Sequence, residues 1–248
     1  MLSKQVSTVY ELVFIFLYET VVLLPLIIMI VWTFSHLGGL DFSEHADNWH
    51  PILMLTGLVF CFFNAAVSFR MLPFEKPAKK KIHAAFHITG SVLIVLGLVA
   101  QFSYHQSNGY EHLFSSHSWM GLFTALCYIL QVLLSLGVFQ DFTPNLNIPL
   151  RVRYKPLHVV LGTVLLIAAG LTIAMGVTEK AAYANLQYGS SSQWYLVHGV
   201  ITTVFLSLAA TFTIISAKPV SALPNTAEPR PPQMVEAETT SDKVADKT

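Results

Sequence analysis

Ten histidines stand in a 248-residue chain that is 54% hydrophobic and only 11% charged, and they are the side chains best equipped for chemistry. A neutral imidazole can ligate a metal through one nitrogen while the other donates a hydrogen bond, and it can also relay protons. Four of the ten share a position: His50, His83, His117 and His158 each open an apolar run. His36, His45 and His112 lie in connections rich in carboxylates, with spacings that match no ligand motif, and read as solvated loop residues. The two cysteines, Cys61 and Cys127, sit deep inside apolar runs and read as small core residues, so no disulfide framework organises the chain.

The elements that must carry these histidines are membrane spans. Mean hydropathy is +0.58, and a soluble domain would carry about 25% charged residues. A hydrocarbon core of about 30 Å needs roughly 20 apolar residues per helix. Six runs satisfy this: 12–34, 51–69, 82–104, 113–140, 156–178 and 193–217. The expected fold is an all-α membrane protein of six transmembrane helices in one domain, 1–217. Residues 218–248, punctuated by five prolines and lacking apolar periodicity, read as a disordered tail. The first run continues past twenty residues without a cleavage signature and reads as a span that stays. Its carboxylate, Glu19, is expected to face the bundle or a hydrated crevice rather than lipid.

Charge placement orients the bundle. Arg70, Lys76, Lys79, Lys80 and Lys81 fill the second connection, and Arg151, Arg153 and Lys155 the fourth. The opposite connections hold Lys180 beside Asp41, Glu44, Asp47, Glu111 and Glu179. Eight bases against one put the first group, and both termini, on the cytoplasmic side.

Because successive helices alternate direction, the four histidines sort into two pairs. His50 and His117 face each other on the outer side, His83 and His158 on the inner side. Paired imidazoles across a helical bundle suit the two axial positions of a haem iron. Gly57 and Gly90 lie seven residues after His50 and His83, and Gly121 and Gly162 four residues after His117 and His158. Each therefore falls on its histidine's own face, where it could leave room for a porphyrin; close helix packing is the competing explanation.

An ordered set of short motifs resembles the eukaryotic cytochrome b561 family over residues 49–180. The matches are Trp49-His50-Pro51, Arg70, Lys80-Lys81-Ile82-His83, His105, Ser116-His117-Ser118-Trp119, Pro156-Leu157-His158 and Thr178-Glu179-Lys180. The resemblance implies two haem b groups held by helices two to five. His50 and His117 would ligate the outer group, His83 and His158 the inner one, with Arg70 also at a haem. It further implies that ascorbate docks on the cytoplasmic face against Arg70, Lys76, Lys80 and Arg151. His105 would mark a second substrate site outside, with Lys80 and His105 nearest the chemistry. Two departures stand out: Phe114 replaces a tyrosine, and His198 an asparagine. His87, one turn beyond His83, is shared with some members.

The function expected is transmembrane electron transfer from cytoplasmic ascorbate to monodehydroascorbate or a ferric chelate on the other side. A homodimer is expected by resemblance, in the plasma membrane or an endolysosomal or secretory vesicle membrane, with no nucleic-acid partner. Two rivals remain. A proton-coupled transporter relaying protons through histidines predicts broken helices and ionisable residues near the midplane. A membrane scaffold leaves the histidine pairing without a purpose.

Overall fold

The computed structural model describes residues 2–139 and 148–188 and scattered positions between 199 and 213; of these, the side chains of residues 2–8, 70, 148, 185, 187 and 188 are not described. Every regular element among the described residues is helical. With no water available to backbone groups in a bilayer, each span must satisfy its own hydrogen bonds, which a helix does.

Helix α1 spans Leu2–His36. A 3₁₀ turn, Ala46–Asn48, leads into α2, residues 49–71, built from Trp49–Met54, a π-helical Leu55–Cys61 and Phe62–Met71. Helix α3 covers Lys76–Asn108, α4 Ser116–Phe139 and α5 Ile148–Tyr188. All five are long and apolar enough to cross a membrane. The sixth expected span falls largely outside the described residues; within it, the described positions from 202 to 211 are helical and apolar. His198 and residues 218–248 also lie outside them.

The helices outrun their apolar stretches. At about 1.5 Å per residue, the 41 residues of α5 run about 60 Å, roughly twice the hydrocarbon core. Hydropathy marks where lipid ends, whereas the backbone ladder continues into water. Consequently His83 and His158 open apolar runs but not helices. His50 and His117 do sit at the second position of theirs. Pro51 occupies the first turn of α2, where a missing N–H leaves no partner wanting.

Two antiparallel hairpins, α2–α3 and α4–α5, form the centre. The first closes on glycine: a Cβ on Gly57 would lie 3.0 Å from the Gly90 carbonyl, and one on Gly90 3.0 Å from that of Gly57. Gly121 and Gly162 likewise abut Thr172 and Gln131 across the second hairpin. Gly57 and Gly90 therefore let two helix backbones approach, as small residues do in membranes, whereas Gly121 and Gly162 give room to a side chain of the neighbouring helix. Large apolar side chains such as Phe16, Leu126, Leu133 and Val164 are exposed along the spans, where lipid would cover them.

Helix α1 fastens onto α2 just past the π segment. The Tyr18 hydroxyl donates to the Phe63 carbonyl at 2.9 Å, and Asn64 reaches the Glu19 carboxyl at 3.5 Å. Glu19 thus faces α2, satisfying the demand that an intramembrane carboxyl find a partner.

Candidate functional site with two facing histidine pairs

The four helix-borne histidines meet in two pairs. The ring centres of His50 and His117 are 6.2 Å apart with planes at 82°, and those of His83 and His158 are 6.1 Å apart at 70°.

Each ring is fixed through Nδ1 by the other helix of its own hairpin. His50 Nδ1 meets the Gly97 carbonyl at 3.0 Å, and His83 Nδ1 meets the Ala65 carbonyl at 2.8 Å. His117 Nδ1 meets the Thr172 carbonyl at 3.0 Å, and His158 Nδ1 the Ser135 hydroxyl at 3.0 Å. A carbonyl can only accept, so Nδ1 carries the proton in the first three, and a neutral ring then keeps its lone pair on Nε2. This is the arrangement in which a metal-ligating histidine donates its other N–H to a carbonyl or hydroxyl, fixing tautomer and ring orientation. The pattern is reciprocal: α2 supplies an outer histidine and an inner Nδ1 partner, while α3 supplies the reverse, and α4 and α5 repeat the exchange.

The spacing decides what the pairs can hold. Two metal–imidazole bonds of about 2 Å, each extended by roughly 1 Å from nitrogen to ring centre, span about 6 Å. Both pairs have that separation. Among the described residues no group of three or more His, Cys, Asp or Glu side chains converges as a bare-ion site. A metal bound here must bring its own equatorial ligands, as haem iron does, so the donor set fits that group.

Gly176, which the sequence did not single out, makes the outer pair possible. A Cβ there would stand 2.5 Å from His117 Cε1, so the imidazole occupies the volume that any other residue would fill. His50, His105 and His117 line an outer cavity of about 970 Å³, at the upper end of the size usual for ligand sites. His105 is held at both nitrogens, by the Glu111 carbonyl at 2.9 Å and the Gln101 amide at 2.8 Å. Gly109, at φ +68°, ends α3 in the left-handed turn that brings Glu111 back beneath His105. His112 is exposed, yet it stacks on His105 with centres 5.7 Å apart and on Phe102 at 5.0 Å; Phe114, strongly exposed, lines the same cavity.

On the inner side, His87 accompanies His83, with ring centres 4.5 Å apart, and its Nδ1 meets the buried Tyr128 hydroxyl at 2.9 Å. The Lys80 ammonium donates to the Phe139 carbonyl, and Arg151 Nε donates to that of Val138 at 3.0 Å. Both cations converge on the C-terminal end of α4, whose carbonyls and dipole favour positive charge. Lys79 goes elsewhere, to the Phe69 carbonyl at 3.0 Å. Lys76 is exposed, and the side chain of Arg70, in the last turn of α2, is outside the described set.

Comparison with known proteins bears on this arrangement. The family model for eukaryotic cytochrome b561 matches residues 49–184. Transmembrane ascorbate ferrireductase 1 of Arabidopsis thaliana is 30% identical, covering 82% of this chain and 85% of its own. A transmembrane ascorbate-dependent reductase of Homo sapiens is 34% identical over 73% of this chain and 71% of its own. A plasma membrane ascorbate-dependent reductase of Xenopus tropicalis is 32% identical over 71% and 64%.

Proposed function

The chain belongs to the eukaryotic cytochrome b561 family, and from that premise we propose that it carries electrons from cytoplasmic ascorbate across the membrane through two bis-histidine haem b sites. It is a multi-pass transmembrane oxidoreductase that depends on ascorbate, as its relatives' names describe theirs. The observation that carries the finer reading is the doubled, reciprocal histidine lock: four imidazoles with Nδ1 engaged, paired about 6 Å apart at two levels.

When bound, each haem supplies a reversible one-electron station. The chain's own part is to hold those stations in place. On α3, His83 serves the inner level and Gly97 the outer one, fourteen residues on; His158 and Thr172 repeat that spacing on α5. Fourteen residues at about 1.5 Å each set the levels about 21 Å apart, with no moving part between them. The four imidazoles would hold the groups, and the bonds to their Nδ1 atoms would tune them.

On the cytoplasmic side, Lys80 and Arg151, joined by Arg70 and Lys76, form the docking surface for the ascorbate anion. On the outer side, His105 presents the acceptor, monodehydroascorbate or a ferric chelate, to the cavity beside His50 and His117. The plasma membrane or a vesicle membrane is the setting.

A histidine proton relay through the midplane finds no support in the helices. Helices α3, α4 and α5 run unbroken, and the π segment of α2, Leu-Thr-Gly-Leu-Val-Phe-Cys, holds no acid or base for such a relay.

The test is a reduced-minus-oxidised absorption spectrum with haem quantification. Two haems per chain are expected; His50→Ala or His117→Ala should remove one of them, and His83→Ala or His158→Ala the other. An unchanged haem-to-protein ratio in any of the four would break the pairing.

A further inference from the structure

Helix α5 runs past its apolar stretch on the outer side, and two consecutive residues of that extension reach two different helix starts. The Lys180 ammonium donates to Asp47 in the turn three residues before His50, with both side chains 21% exposed. Glu179 Oε2 accepts from the Ser115 hydroxyl at 2.9 Å, two residues before His117. Ser115 in turn accepts the Ser118 N–H at 3.3 Å, the bond by which an N-cap satisfies the first turn of its helix. Neighbouring residues on a helix point about 100° apart, so Glu179 can face α4 while Lys180 faces α2.

The Nδ1 bonds leave something unfixed. His50 is held by α3 and His117 by α5, each within its own hairpin. Neither bond sets the distance between the hairpins at the outer level, yet two imidazoles that hold one group between them need that distance fixed. The contact of Lys180 with Asp47 does cross between hairpins, immediately above His50. Farther in, the His87–Tyr128 bond crosses in the same way, and so does Lys80 to Phe139 at the inner rim.

We propose that Glu179 and Lys180 form a brace that sets the separation and tilt of His50 and His117, and so tunes the outer haem alone. They are positioning residues, acting through Ser115 and Asp47. The proposal rests on the outer pair being an axial ligand pair.

The experiment uses the purified full-length holoprotein, with Lys180→Gln and Asp47→Asn made singly, together, and as the exchange Asp47→Lys with Lys180→Asp. Low-spin haem electron paramagnetic resonance and redox titration are the readouts. Each single variant should shift the g-values and midpoint potential of the His50-dependent haem and leave the other haem unmoved. The double variant should shift them no further than a single one, and the exchange should move them back towards the unaltered protein. Glu179→Gln should do less, because its amide oxygen can still accept from Ser115. Unchanged outer signals in both single variants, or equal shifts at both haems, would overturn the brace. A short bifunctional thiol reagent applied to Asp47→Cys with Lys180→Cys, against each single cysteine variant as control, separates the two claims. A cross-link without any His50-dependent haem signal would sink the ligand assignment while leaving the contact standing. Absence of the cross-link in protein whose haem spectrum is intact would overturn the brace itself.

Discussion

A histidine is committed to a role by the nitrogen it does not use for binding. The bonds from Nδ1 to Gly97, Ala65 and Thr172 leave His50, His83 and His117 with one free lone pair each. These ligand candidates were legible in the sequence because each opens an apolar run. Gly176 was not, because its contribution is an absent side chain whose neighbour comes from another helix. Gly176→Ala should therefore act on His117: a methyl 2.5 Å from Cε1 cannot be accommodated unless the ring swings away. Overpacking of this kind costs about 1–3 kcal/mol, and disturbing a ligand's support lowers metal affinity roughly 10–100-fold. Haem quantification should show one haem reduced and the other retained; full occupancy of both would contradict the packing described. At the other rim, Lys80 and Lys79 each donate to a helix-end carbonyl, at Phe139 and Phe69 respectively. They are matched in structural role, but only Lys80 joins Arg151 at the end of α4. Losing one charge-assisted contact of about 1.5–3 kcal/mol should raise the ascorbate concentration for half-reduction roughly ten- to a hundredfold in Lys80→Ala. Lys79→Ala should change it little, with haem content normal in both. Equal effects would mean diffuse attraction rather than docking.

At the scale of elements, the working unit is the hairpin. Each of its two helices supplies a histidine at one level and an Nδ1 partner at the other. Part of this was open to periodicity. Ser135 lies eighteen residues after His117, five full turns of 3.6 residues, and hence on the same face of α4. Gly97 and Thr172 lie fourteen residues after His83 and His158, close to four turns. What no pattern could reveal is that the backbone carbonyls of Gly97 and Thr172 are the acceptors, since every residue offers the same group. The glycines at 57, 90, 121 and 162 were visible on the right faces, but their purpose was not: whether a missing Cβ makes room for a ligand or for a helix depends on the partner's path. The π segment of α2 also left no signature in an unbroken apolar run. Ser135 is the one of these four Nδ1 partners that belongs to a side chain, so it can be removed without touching the backbone. Ser135→Ala should leave His158 Nδ1 with only the Gln131 amide, at 3.5 Å, and weaken the inner haem roughly 10–100-fold in affinity. The outer haem should be unaffected, because its acceptors lie at the far ends of α3 and α5. The check is haem titration of the variant against haem supply, and a loss confined to the outer site would refute the assignment of levels.

At the scale of the whole molecule, the proposed direction rests on the contrast between the two rims. The rim bearing Lys76, Lys79, Lys80, Lys81 and Arg151 is basic, while the other presents Glu44, Glu111 and Glu179 around the outer cavity. The same asymmetry acts twice. During insertion the basic connections would stay in the cytoplasm, and in the folded protein they would raise the local concentration of an anionic donor. On the proposed reading, one arrangement of charge would set both which way the protein sits and which side accepts ascorbate. These roles can be separated by experiment, because orientation is fixed once at insertion whereas attraction of a free anion is screened by salt, with a Debye length of about 10 Å at 0.1 M and about 3 Å at 1 M. In sealed vesicles of known orientation, ascorbate enclosed on the basic side should reduce the haems and feed an impermeant acceptor on the acidic side. Raising salt on the basic side should raise the ascorbate concentration needed for half-reduction without changing the extent of reduction at saturation. Ascorbate supplied only to the acidic side should reduce the haems far more slowly. If that side proved the faster entry, both the topology and the docking surface argued from the basic residues would have to be reversed.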